Sequence, residues 1–119
     1  MLRRAAQIAL GIPFVYLGYQ AAAEPGARVD AAASVGLPEP ELMVRANGAA
    51  MVAGGAALVA NVLPRTAAAG LVVSLVPTTL AGHRFWDHED AAARAGQRIQ
   101  FLKNLGLAGG LLAVATRRR

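Results

Sequence analysis

The chain alternates between long apolar runs and short polar stretches. Residues 5–23 form the first run, 19 residues without a charge. As a helix it would reach about 28 Å, close to the hydrocarbon thickness of a bilayer. Tyr16, Tyr19 and Gln20 fall in its last two turns, where interfacial aromatics are expected. Residues 24–41 break the pattern with Pro25, Gly26, Pro38 and Pro40, leaving room for a short surface helix over 31–35. The second run, 42–63, carries Arg45 and Asn47 near its start and stops at Pro64 and Arg65. The third, 66–82, contains Pro77 followed by Thr78 and Thr79. This predicts a kink near 75–77, with threonine hydroxyls serving the freed backbone group. His83, Arg84, Phe85 and Trp86 mark its exit, with Trp86 as an interfacial anchor. A charged loop over 87–97 leads to the fourth run, 98–116, and then to Arg117, Arg118 and Arg119.

Four such runs in 119 residues make one domain, residues 1–119, with no room for a second. The expected fold is all-α: a left-handed transmembrane four-helix bundle with helices over about 5–23, 42–63, 66–82 and 98–116. Composition supports this reading. Apolar residues make up 55% of the chain and mean hydropathy is +0.42, yet few of them are aromatic. Alanine and glycine fill a soluble core poorly, but they let helix backbones approach closely in lipid. Ala46, Ala50 and Gly54, Met51 and Gly55, and Gly106 and Gly110 stand at four-residue spacing and offer candidate contact faces. Arg3, Arg4, the first run and Ala21–Ala22–Ala23 also resemble a signal peptide with a small-residue cleavage site. The length of the run and the three apolar runs after it favour a retained span.

The net charge of +5 would suggest nucleic acid for a soluble protein. Here the arginines flank apolar runs and form no basic stripe interleaved with aromatics, so nucleic acid is not an expected partner. Arg3, Arg4, Arg65 and Arg117–Arg119 lie at the N-terminus, the turn between runs two and three, and the C-terminus. All seven acidic residues lie in the other two loops, where they balance Arg28, Arg84, Arg94 and Arg98. The positive-inside rule then places both termini in the cytoplasm, N-in/C-in.

That orientation gathers polar residues at the outward end: Tyr19 on the first helix, Arg45 and Asn47 on the second, His83 after the third, and Gln100, Lys103 and Asn104 on the fourth. Charge at a helix centre costs about 2.5–3.5 kcal/mol and usually faces a partner or water. One reading is a cationic, amide-lined cavity that could hold a quinone, an anionic head group or an oxyanion. The other is snorkelling, with Arg45 and Lys103 extending to the interface. Gln7 and Asn61 stand outside this pattern. No metal is expected, since His83 and His88 lack ligand spacing. Zero cysteines exclude disulfides and thiol redox chemistry by this chain. Ser34 and Ser74 have no placed base, and there is no HExxH, phosphate loop or nucleophile elbow, so the expectation leans away from an enzyme.

The segment SLVPTTLAGHRFWDHED…RIQFLKNLGLAGGLL resembles the DoxX family of small bacterial four-helix membrane proteins. The likeness is most specific over 73–112 and continues through RANGAAMVAGGAALV and the Leu63–Pro64–Arg65 turn. The resemblance implies an integral protein of the bacterial inner membrane. The family takes its name from a quinone-linked thiosulfate oxidation subunit, which implies a non-catalytic subunit or docking partner of a membrane-associated redox system. The alternative is a small-molecule, quinone or lipid-binding membrane protein or transporter using the outward cavity. Expected partners are the lipid bilayer, a soluble or membrane oxidoreductase, and a second copy of the chain. Quinone is the one cofactor suggested.

Overall fold

The computed structural model describes residues 2–34, 36–82 and 90–117. They form five helices: α1 Leu2–Ala23, α2 Ala27–Ser34, α3 Pro40–Ala60, α4 Pro64–Gly82 and α5 Ala91–Ala115. The protein is all-helical among the described residues, with four long helices where the four apolar runs lie. The expected short surface helix is α2, set four residues earlier than the sequence suggested. Residues 83–89, with His83, Trp86 and His88, lie outside the described residues, as do Arg118 and Arg119.

Helix ends differ from the hydrophobic pattern for local reasons. Pro40 opens α3 because its fixed φ suits a first helical position and its missing N–H has no partner to lose there. The second run reads apolar to Leu63, but α3 stops at Ala60. Asn61 adopts φ 59, and asparagine tolerates this left-handed region better than most residues. The N–H of Val62 reaches Ala57 O at 2.8 Å and that of Asn61 reaches Leu58 O at 3.2 Å, the paired bonds of a Schellman cap. α5 starts at Ala91, seven residues before its apolar run. Asp90 accepts from Ala93 N–H at 2.9 Å, and an alanine-rich segment with high helix propensity continues the turn. Much of the expected 87–97 loop is therefore helix. α4 runs as one element past position 77, and the Thr79 hydroxyl donates to Leu75 O at 2.7 Å.

The long helices alternate in direction. Gln7 of α1 meets Leu58 at the end of α3, and Arg45 near the start of α3 meets Ala22 at the end of α1. Arg65 at the start of α4 reaches Ala115 at the end of α5. Both chain ends therefore meet at one end of the bundle, as an even number of passes requires. α3 lies between α1 and α4, α5 packs on α4, and α5 closes only lightly onto α1.

The α1–α3 pair is the tightest, and glycine makes it so. A Cβ on Gly48 would lie 2.6 Å from Gly18 O, and one on Gly11 would lie 2.7 Å from Gly55 O. Gly11 and Gly18 are seven residues apart, as are Gly48 and Gly55, so the contact repeats once per heptad in antiparallel register. A seven-residue period is that of left-handed helix packing. The four-residue patterns serve differently. Gly54 faces Leu71 of α4, whereas Ala46 and Ala50 are exposed. A Cβ on Gly106 would meet no described atom within 4 Å, and one on Gly110 would come no closer than 3.5 Å to Leu10. Phe14, Met51, Leu58, Ala68, Leu71, Leu75 and Leu111 form the core between these helices.

The turn at Asn61 gives a first expected result. Asn61→Gly keeps the left-handed backbone and should cost less than Asn61→Ala, by about 1 kcal/mol. Chemical denaturation of the two variants checks this. Equal stabilities would mean that the side chain, not the backbone, sets the turn.

Candidate functional site

The residues expected to line an outward cavity make separate contacts. Arg45 donates to Ala22 O at 2.6 Å and to Glu41 Oε1 at 3.2 Å, tying the start of α3 to the end of α1. Its ion pair is exposed and worth about 0.3–0.5 kcal/mol. Asn47 accepts from Ser74 Oγ at 2.6 Å and donates to Met51 Sδ, joining α3 to α4. Asn104 is buried and donates to Thr79 Oγ1 at 3.0 Å, joining α5 to α4. Lys103 is exposed, Gln100 is half-buried, and Tyr19 turns outward. His83 lies outside the described residues. Asn47 and Asn104 therefore both bond to α4, while Arg45 bonds to α1. Asn104 also lines a cleft of about 170 Å³ between α4 and α5, walled by Leu75, Phe101 and Leu105.

Among the described residues the densest polar arrangement is at the opposite end, where α1 begins and α5 ends. Gln7 is 2% exposed and satisfies three partners. Its Nε2 donates to Leu58 O at 2.8 Å and to Asn61 Oδ1 at 2.9 Å, and its Oε1 accepts from Arg117 Nη2 at 3.1 Å. Arg4 Nη2 donates to Val59 O at 2.9 Å, and Arg65 Nε donates to Ala115 O at 3.3 Å. These carbonyls belong to the last turns of α3 and α5. Backbone acceptors are left open there, and cations are favoured by the helix dipole. A cleft of about 820 Å³ opens beside them, with Arg3, Arg4, Arg65, Arg117 and Thr66 in its wall.

Comparison with known proteins adds one positive result. The family model DoxX matches residues 4–84. The chain belongs to the DoxX family. No curated protein and no solved structure matches it. The DoxX match takes in α1 to α4, including the polar ends at Gln7, Asn61 and Arg65, and stops before α5. It thus covers Tyr19, Arg45, Asn47 and His83, but not Gln100, Lys103 or Asn104. Sequence reading placed the strongest likeness over 73–112, most of which lies beyond the matched span. It also passed over Gln7 and Asn61 as exceptions. Each shares its apolar run with another amide, Gln20 or Asn47, and 54 positions separate them. A usable signal was present: an uncharged but strongly polar side chain inside a helix needs a partner.

Proposed function

We propose that this DoxX-family chain is a multi-pass protein of the bacterial cytoplasmic membrane. α1, α3, α4 and α5 span it, both termini face the cytoplasm, and the chain serves as a non-catalytic subunit that docks a quinone-linked oxidoreductase. The outward faces of the helices carry the membrane part of this reading. Ile12 and Tyr16 on α1, Val73 and Val76 on α4, and Ile99, Leu102 and Leu105 on α5 are all exposed. Their polar neighbours Gln7, Ser74, Thr79 and Asn104 are buried and bonded between or within helices. Large apolar groups outside and satisfied polar groups inside is the arrangement that lipid favours. α3 is long and apolar enough to cross a membrane by itself. α4 contributes the apolar stretch Pro64–Val76. The bundle is 45 Å along its longest axis, comparable to a bilayer of about 40–45 Å including headgroups. The docking role is supported by the family resemblance and by the way interior polar side chains serve to join helices.

The absence of native cysteine makes the topology directly measurable. Single cysteines at Thr66→Cys and Ser34→Cys should react with an impermeant maleimide from opposite sides, Ser34→Cys from outside in intact cells. Labelling of both from one side, or recovery of the chain in the soluble fraction without detergent, would sink the membrane reading. Mild solubilisation followed by mass spectrometry tests the docking: an oxidoreductase subunit should accompany the chain. Its consistent absence from otherwise intact membrane complexes would remove that role.

A further inference from the structure

The cleft at the terminal end has a cationic wall that the docking role does not use. Four arginines line it: Arg3 and Arg4 from the first turn of α1, Arg65 from the first turn of α4, and Arg117 after α5. The other polar lining groups are the amides of Gln7 and Asn61 and the hydroxyl of Thr66, and among the described residues no carboxylate lines the cleft. The electrostatics are not balanced from within. Arg4, Arg65 and Arg117 each place one guanidinium nitrogen on a neutral oxygen: Val59 O, Ala115 O and Gln7 Oε1. A guanidinium has five N–H donors, so most of their donors stay available. Arg4 Nη1 is buried and has no partner among the described residues. An unmatched buried donor on a charged group is costly, and such a group calls for an anion or water. The first turns of α1 and α4 meet here beside the last turns of α3 and α5, so the helix dipoles offset one another and the guanidinium groups supply the positive charge.

We propose that this cleft binds a phosphate group, supplied by the phosphodiester of an anionic phospholipid. Guanidinium forks match phosphate oxygens in pairs, and several arginines around one cavity can hold the non-bridging oxygens of a phosphodiester from more than one side. A volume of about 820 Å³ accommodates a headgroup with its glycerol. The chain's apolar outer faces adjoin the cleft, so acyl tails can leave it along α1 and α5. The lipid source rests on the membrane reading above. The phosphate chemistry of the cleft does not.

The test uses the full chain purified in a neutral detergent. Short-chain phosphatidylglycerol, short-chain phosphatidylcholine and inorganic phosphate are titrated separately, with thermal stability and retained adducts in native mass spectrometry as readouts. Phosphatidylglycerol should bind and phosphatidylcholine should not. Arg3→Gln and Arg65→Gln should each weaken phosphatidylglycerol about fivefold. Arg3 is exposed and makes no hydrogen bond among the described residues, so its variant should fold normally. Arg45→Gln, at the far end of the bundle, should bind as the parent does. Tight binding of inorganic phosphate that displaces phosphatidylglycerol would keep the phosphate site and assign it to a free anion. Equal binding of both lipids, or binding indifferent to Arg3→Gln and Arg65→Gln, overturns the proposal. Recovery of the chain without detergent would end the membrane reading yet leave the phosphate titration to judge the cleft.

Discussion

Gly48→Leu should separate α1 from α3 and abolish the stable fold. Even the first side-chain carbon would stand 2.6 Å from Gly18 O, 2.7 Å from Ala22 N and 3.0 Å from Ala21 Cβ. Two of these atoms are backbone, so no rotamer change relieves the clash. Overpacking a core costs about 1–3 kcal/mol when side chains can adjust. Here the helices themselves must part, and the loss should exceed about 3 kcal/mol, a large share of a small domain's 5–15 kcal/mol. Gly48→Ala should already show a measurable loss. Gly106→Ala is the matched control: no described atom lies within 4 Å of its added carbon, so the helix should gain about 0.5–1 kcal/mol. Denaturation followed by circular dichroism in the same detergent compares the three. If Gly48→Ala behaves like Gly106→Ala, the two glycine pairs do not hold the bundle together.

Gln7→Leu should carry the second largest penalty. The substitution is close in size and apolar, so packing is little changed. It removes one bond of Leu58 O and the Gln7 partner of the exposed Asn61 carboxamide and the half-buried Arg117 guanidinium. An unsatisfied buried polar group costs about 1–3 kcal/mol, while hydrogen bonds between membrane helices measure about 0.6–2 kcal/mol. A net loss of about 2–3 kcal/mol is expected. The effect should also be local. Arg117 loses its anchor to α1, so trypsin should cut after it faster in Gln7→Leu than in the parent. Arg117→Gln combined with Gln7→Leu should cost less than the two single losses together, because they share one bond. Full additivity would show that the amide and the guanidinium act independently.

These two sites differ in how far they could be read in advance. The heptad pair Gly11 and Gly18 and its counterpart Gly48 and Gly55 are plain in the residue order once the contact is known. They were hidden by composition. In a chain this rich in alanine and glycine, small residues recur at every spacing, so Ala46, Ala50 and Gly54 looked as suitable. Gln7 and Asn61 were visible as polar side chains in apolar runs. Their pairing depends on the antiparallel register of α1 and α3, which the glycine contact sets.

The order of residues alone determined the four long helices, because an apolar run of about 20 residues bounded by proline and charge has few other outcomes. It also determined that Arg3, Arg4, Arg65 and Arg117 gather at an end with no described acid, while Arg28, Arg45 and Arg94 stand with the described acids at the other, since alternating passes carry successive turns to opposite ends. Only the tertiary structure decided which faces touch, where α3 and α5 begin and end, and which polar atoms meet. Those outcomes depend on atoms far apart in the chain. A Cβ too close to a carbonyl, or an amide facing a guanidinium, becomes a force only after the helices have packed.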